Sequence, residues 1–276
     1  MQDFFKKIIF ALIAGFSEFM PVSAPAHYEL YQYLTGFRIE PLMMLAVHIG
    51  CLAACVACCG KRLKRLRNER KAAARLRKRS GRKTGSAMLM DGALLKIAIV
   101  PVTLGYLFYR KATGWIDTMG LLALMLLING IVLFASRFFA QGNKDGRSLS
   151  RMDGLLMGMG GMFGIFPGYS RFGGIYSIAS IRGTDRNYAM ETALTLSLPA
   201  FSVMICFDIY EVITYGSAVS AGALLLLLLV AAVAFGCGYL AIGLMRYFAG
   251  KTDLTGFSYY SWGLAFYAFL LYLIIH

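Results

Sequence analysis

Charge is scarce in this chain: 15% of its 276 residues are Asp, Glu, Lys or Arg, against about 25% in an ordinary soluble domain. It is missing altogether from residues 42–59, 118–136, 212–245 and 254–275. A helix needs about 20 mostly apolar residues to cross roughly 30 Å of hydrocarbon, so runs of this kind exclude a water-soluble fold. Acidic residues are the rarer sign, 14 against 28 Lys and Arg. A basic balance can mark a nucleic-acid binder, but here it is not spread over a surface. Thirteen Lys and Arg and a single acid, Glu69, fall within 61–83, directly behind an apolar run. That placement speaks for a membrane partner and against nucleic acid. Cysteines number six, and Cys55-x-x-Cys58 lies inside an apolar run, where small packing residues are a better account than a metal or redox pair. No cleavable signal peptide is expected: the first apolar run is interrupted by Glu18 and lacks an A-x-A-like site.

What is present predicts an all-α polytopic membrane protein. Six transmembrane helices are expected at about 41–60, 88–110, 118–138, 190–213, 218–245 and 256–275. The positive-inside rule makes the basic loop 61–87 cytoplasmic. Leu63, Leu66 and Leu76 interrupt its charges, so a helix near anionic headgroups and a solvated loop that only fixes orientation are both open. Residues 8–17 and 154–170 are too short or too glycine-rich for simple spans. The first runs Gly15-Phe-Ser-Glu18-Phe-Met-Pro21-Val-Ser23, the second Gly161-Met-Phe-Gly-Ile-Phe-Pro167-Gly168-Tyr-Ser170. In both, a proline follows the glycine by six residues and a serine comes two or three later. Paired, interrupted segments of this kind point to a binding site at the interface of a repeat. Two halves are therefore expected, 1–138 and 152–276, each a reentrant helix pair followed by three spans. The charges orient the first pair outward and the second inward, an inverted repeat.

Ionisable groups at membrane depth carry function by default. Glu18, Ser23 and His27 place carboxylate, hydroxyl and imidazole within ten residues. They could bind a cation and shuttle a proton; equally, Glu18 could pair with a backbone end and His27 sit among wet headgroups. Gly168, Ser170 and Arg171 combine a flexible backbone, a helix start and a planar cation, which suits a phosphate. Alternatively, Arg171 caps carbonyls. Glu191, expected to pair with Arg182 or Arg186, and Asp208, expected to bond a neighbouring helix near the outer end, read as structural. His48 reads as a hydrogen-bonded packing residue.

Together the two segments resemble the undecaprenyl-diphosphatase family, the bacitracin-resistance phosphatases of bacterial plasma membranes. Its first motif, E-G-x-T-E-F-L-P-[IV]-S-S-T-G-H, is matched by residues 14–27, with Glu18, Pro21, Ser23 and His27 in place. Its second, P-G-x-S-R-S-G, is matched by Pro167 to Gly173, with Ser170 and Arg171 in place. Val47-His48-Ile49-Gly50 is similar to a family I-Q-L-G, and Glu191 and Pro199 fit a further motif. The resemblance implies removal of the terminal phosphate from a C55 polyprenyl diphosphate for lipid-carrier recycling in cell-wall synthesis. It also implies a divalent cation, Mg or Ca, held through Glu18. Glu18, His27 and Ser23 would be catalytic, and Ser170, Arg171 and Gly168 would hold the phosphate. Five positions depart from the motifs: Ala14 for a carboxylate, Ala24 for a second serine, Pro25-Ala26 for T-G and Phe172 for a serine. The two alanines imply slow turnover or none. A non-hydrolysing polyprenyl-phosphate binder or transporter of the same fold, and an unrelated solute transporter, are the rival readings. A homodimer is left open.

Overall fold

The computed structural model describes residues 2–80, 90–108, 118–139, 142–215, 221–251 and 253–275. They form α1 (Gln2–Ser17), α2 (Ala24–Thr35), α3 (Pro41–Ser80), α4 (Met90–Leu107), α5 (Met119–Ala135), α6 (Arg151–Met162), α7 (Arg171–Ile181), α8 (Arg186–Tyr215), α9 (Ala221–Lys251) and α10 (Thr255–Ile275). Among the described residues no strand is formed beyond an isolated bridge of Lys144 with Thr184. The expectation of an all-helical chain holds, and its cause is the solvent: in lipid a backbone must satisfy its own hydrogen bonds. Among the described residues, five helices are long and apolar enough to cross a membrane, namely α3, α5, α8, α9 and α10. The expected span 88–110 is helical as α4, and its ends lie outside the described residues, as does most of the expected turn at Tyr215–Ser217.

Of the two readings open for the basic segment, the helix is what forms: α3 continues unbroken through it to Ser80, 40 residues in all, or about 60 Å at 1.5 Å per residue. Between Lys61 and Ser80 there is no glycine or proline, and Arg, Lys, Leu and Ala are strong helix formers. The segment is anchored at its root. Buried Arg62 donates to Asp91 Oδ1 of α4 at 3.0 Å and to Thr192 of α8, while Arg65 donates to Asp91 Oδ2 at 2.7 Å. Residues 81–87 lie outside the described ones.

The helices pack in a pattern that repeats. Helix α1 lies on α9 as α6 lies on α4, α3 lies on α9 as α8 lies on α4, and α3 meets α8 as α5 meets α10. Small residues make the close approaches. A Cβ on Gly15 would stand 2.6 Å from the Ala234 carbonyl of α9, and one on Gly158 would stand 2.3 Å from the Ala98 carbonyl of α4. Without a hydrophobic difference between lipid and protein, such backbone proximity is what binds membrane helices.

The remaining buried charges pair between elements. Asp208 accepts from His48 Nδ1 at 2.6 Å, linking α8 to α3 as expected. Glu191 pairs with Arg246 of α9 at 2.7 Å, not with Arg182 or Arg186, because α9 and not α7 passes its face. Arg182 turns instead to Asp153. In the connection before α6, the backbone N–H of Arg147 holds the Asp145 carboxyl below the usual carboxylate range.

Candidate active site

Proline sets both turns. Pro21 lacks an N–H and disfavours helical geometry at Met20, so α1 ends at Ser17, with one last bond from Glu18 N–H to the Ala14 carbonyl. Ser23 then adopts φ 58, and among the described residues it is the one non-glycine with positive φ. Strain of this kind costs on the order of 1–3 kcal/mol and persists where the surroundings enforce it. In the second turn α6 tightens into a short 3-10 turn, and Pro167 and Gly168 come next. Gly168 has φ +102 and is pressed against α5, where a Cβ would meet the Leu122 carbonyl at 2.8 Å. Ser170 caps α7, accepting from Gly173 N–H at 3.1 Å.

The two turns interlock. Gly168 N–H donates to Ser23 Oγ at 2.9 Å, and Ser170 Oγ donates to the Met20 carbonyl at 3.2 Å. Asn129 of α5 ties them from the side. Its Oδ1 accepts from Ser170 N–H at 2.9 Å, and its Nδ2 donates to the Pro21 carbonyl at 3.2 Å and to Ser261 at 2.9 Å.

The interlock delivers Glu18 and Arg171 to one another. Arg171 Nη2 donates to Glu18 Oε2 at 2.9 Å, and both residues are buried. The other carboxylate oxygen accepts from Tyr28 at 2.9 Å. Arg171 Nη1 donates to Tyr106 Oη at 3.1 Å, and the guanidinium lies 4.5 Å from the ring centre of Phe201. Its Nε–H has no partner among the described residues. An Arg capping carbonyls is therefore not what is found.

His27 stands apart from this pair. Its Nδ1 meets the Ser23 carbonyl at 2.8 Å and its Nε2 meets Tyr260 Oη at 2.7 Å, with the two rings parallel. A carbonyl can only accept, so Nδ1 carries the hydrogen and Nε2 accepts from Tyr260. His27 and Tyr260 face a cavity of about 720 Å³ whose other walls are mostly apolar, Ile13, Phe16, Met20, Val22 and Phe257 among them, with Ser17 and Asp253 as the polar exceptions. Around Glu18 and Arg171 the free space is only about 20 Å³. Ser17 lines both spaces.

Ala24 lines the small space beside Glu18 and Arg171, so a side chain there reaches the pair. Ala14, also buried, is absent from its walls among the described residues. The donors as placed do not fit a divalent cation. One carboxylate is available, both its oxygens are engaged, and its nearest positive charge is a guanidinium. Hard cations take six or more oxygens, and among the described residues no cluster of three or more His, Cys, Asp or Glu gathers.

Sequence reading did not single out Asn129, Tyr28, Tyr106, Tyr260 or Phe201. Asn129 had a signal: it is the sole amide side chain within 118–136, and a polar group at that depth needs a partner. The aromatic residues had none, being scattered among 36 Tyr and Phe.

Residues 7–267 match the family described as bacitracin resistance protein BacA. An undecaprenyl-diphosphatase of Thermodesulfovibrio yellowstonii is 27% identical over 278 residues, covering 99% of this chain and 98% of its own. One from Alkaliphilus metalliredigens is 25% identical and covers 94% of each chain. One from Pelotomaculum thermopropionicum reaches 29% over 71% of each. With a match running through both turns and nearly every helix, the chain belongs to the BacA family of bacitracin resistance proteins.

Proposed function

We propose that this chain is an undecaprenyl-diphosphate phosphatase of the bacterial plasma membrane. It removes the terminal phosphate of a C55 polyprenyl diphosphate and so returns the carrier lipid of cell-wall synthesis to use. One observation carries the reading: the two interlocked turns bring Glu18 and Arg171 from opposite halves of the chain to 2.9 Å. The names of the relatives point the same way, and favour hydrolysis over a binder or transporter of the same fold.

The reaction joins a water oxygen to the terminal phosphorus and breaks that phosphorus from the bridging oxygen, which stays with the lipid monophosphate. Arg171 holds the phosphate with a fork of N–H donors and offsets the charge that develops on it. The first N–H groups of α7, beside Ser170, add partial positive charge. Glu18 and the Ser23 hydroxyl orient the attacking oxygen, Gly168 keeping the backbone close. His27 accepts a proton at Nε2 by giving up the Tyr260 hydrogen bond. The apolar cavity beyond His27 takes the polyprenyl chain. No step here is routed through a cation.

The same reading includes six spans, with α4 as the sixth, and two reentrant pairs, α1–α2 and α6–α7. Residues 1–138 and 152–276 are the inverted halves, and the basic end of α3 lies in the cytoplasm. The repeated packing pattern and the one-sided Lys and Arg support it. The test is phosphate release from C55 diphosphate by the purified chain, with Arg171→Ala as the control that should release none.

A further inference from the structure

The site as it stands has no room for its substrate. The free space beside Glu18 and Arg171, about 20 Å³, is enough for roughly one water and far too little for a diphosphate. Its walls are held: Tyr28 and Arg171 occupy the two oxygens of Glu18, and Tyr106 bonds Arg171. Arg171 is not content with what it has. Its Nε–H is buried without a partner among the described residues, and a buried donor left so is costly. An anion with more acceptor oxygens than a carboxylate would satisfy it. Next door, across Ser17, lies the cavity of about 720 Å³ from which such an anion would arrive.

We infer that the Glu18 carboxylate occupies the phosphate seat of Arg171 in the ligand-free protein, as an internal stand-in for the substrate. The inference rests on the phosphatase reading for the identity of the ligand, and on the geometry alone for the competition. A carboxylate and a phosphate oxygen present the same chemistry to a guanidinium: a planar fork meets two anionic oxygens. Binding then exchanges one pair for another. The incoming phosphate takes Nη2 and reaches Nε, and Glu18 is released on the Tyr28 side, free to face the attacking oxygen. The substrate thereby frees the carboxylate that orients the attacking oxygen, and in its absence the cation is never left unpaired in a low-dielectric interior, which would be expensive. The competition sets this role apart from a plain catalytic or metal-holding role for Glu18. Removing the carboxylate's charge should tighten phosphate binding even as it abolishes turnover.

The experiment measures binding of C55 monophosphate, and separately of inorganic phosphate, to the purified full chain in detergent. The variants are Glu18→Gln, Glu18→Asp, Arg171→Ala and the double variant Glu18→Gln/Arg171→Ala. Glu18→Gln keeps the shape and the bond to Tyr28, and should bind both probes about tenfold more tightly, the scale of one charged contact. Glu18→Asp, one methylene shorter, should tighten binding in the same direction and guards against a Gln variant that fails to fold. In the Arg171→Ala background the Glu18→Gln gain should vanish. The lipid probe should bind more tightly than inorganic phosphate in every folded variant that retains Arg171, because the apolar cavity receives its chain. Binding that is unchanged or weaker in folded Glu18→Gln and Glu18→Asp overturns the stand-in and leaves the phosphatase reading intact. A chain that binds neither probe in any variant overturns both.

Discussion

Arg171 has a guanidinium whose three nitrogens do three different things: one holds Glu18, one holds Tyr106, and Nε holds nothing among the described residues. A lysine at this place offers one compact charge and cannot fork. Arg171→Lys should weaken binding of C55 monophosphate by about 1–3 kcal/mol, the worth of a charged hydrogen bond. Titration of the lipid into purified variant checks it, and unchanged affinity would show Arg171 to be structural. Asn129 carries the complementary prediction. Its amide satisfies Ser170 N–H and the Pro21 carbonyl at once, so Asn129→Ala orphans a buried group in each turn. Each such group costs about 1–3 kcal/mol. Thermal unfolding should shift downward and phosphate release should fall with it. A stable Asn129→Ala that works normally would mean that the turns hold each other without help.

At the scale of elements, the fold depends on backbones that nearly touch. Gly158 of α6 faces the Ala98 carbonyl of α4, and Gly15 of α1 faces the Ala234 carbonyl of α9. Adding bulk there forces the helices apart, and overpacking costs about 1–3 kcal/mol. Gly158→Val should therefore lower the unfolding temperature of the purified chain. Gly243→Ala, where a Cβ meets nothing within 4 Å, should be neutral or stabilising through helix propensity. Equal effects at both positions would discount the close approach. The elements themselves were largely legible in the sequence. Long uncharged runs gave the long helices, and the glycine–proline–serine spacing located both turns and the residues on them. Two things were not. The basic segment left helix and solvated loop both open, because charge density suggests solvent while the residues themselves favour a helix; the anchoring of Arg62 on Asp91, which carries α3 straight through, was not readable. The meeting of Glu18 with Arg171 and the partner of Glu191 depend on which helices pass each other, and spacing along one chain does not encode that.

For the molecule as a whole, orientation and chemistry are the open quantities. The proposed reading puts the basic end of α3 in the cytoplasm, on the one-sided Lys and Arg of 61–83. An engineered Arg75→Cys should take up a membrane-impermeant maleimide only after cells are opened, judged against the unsubstituted chain. Labelling of intact cells would invert the topology, and with it the sides assigned to the two helix pairs. The central claim is that two interlocked turns, one from each half, make a single site for the terminal phosphate of a polyprenyl diphosphate. Its most direct test is release of inorganic phosphate from C55 diphosphate by the purified chain, set beside Glu18→Gln and Arg171→Ala. Release by the natural chain is expected, and none by either variant, although Glu18→Gln still binds the lipid. A folded natural chain that binds the lipid and releases nothing, or an Arg171→Ala that releases phosphate at the natural rate, would contradict it.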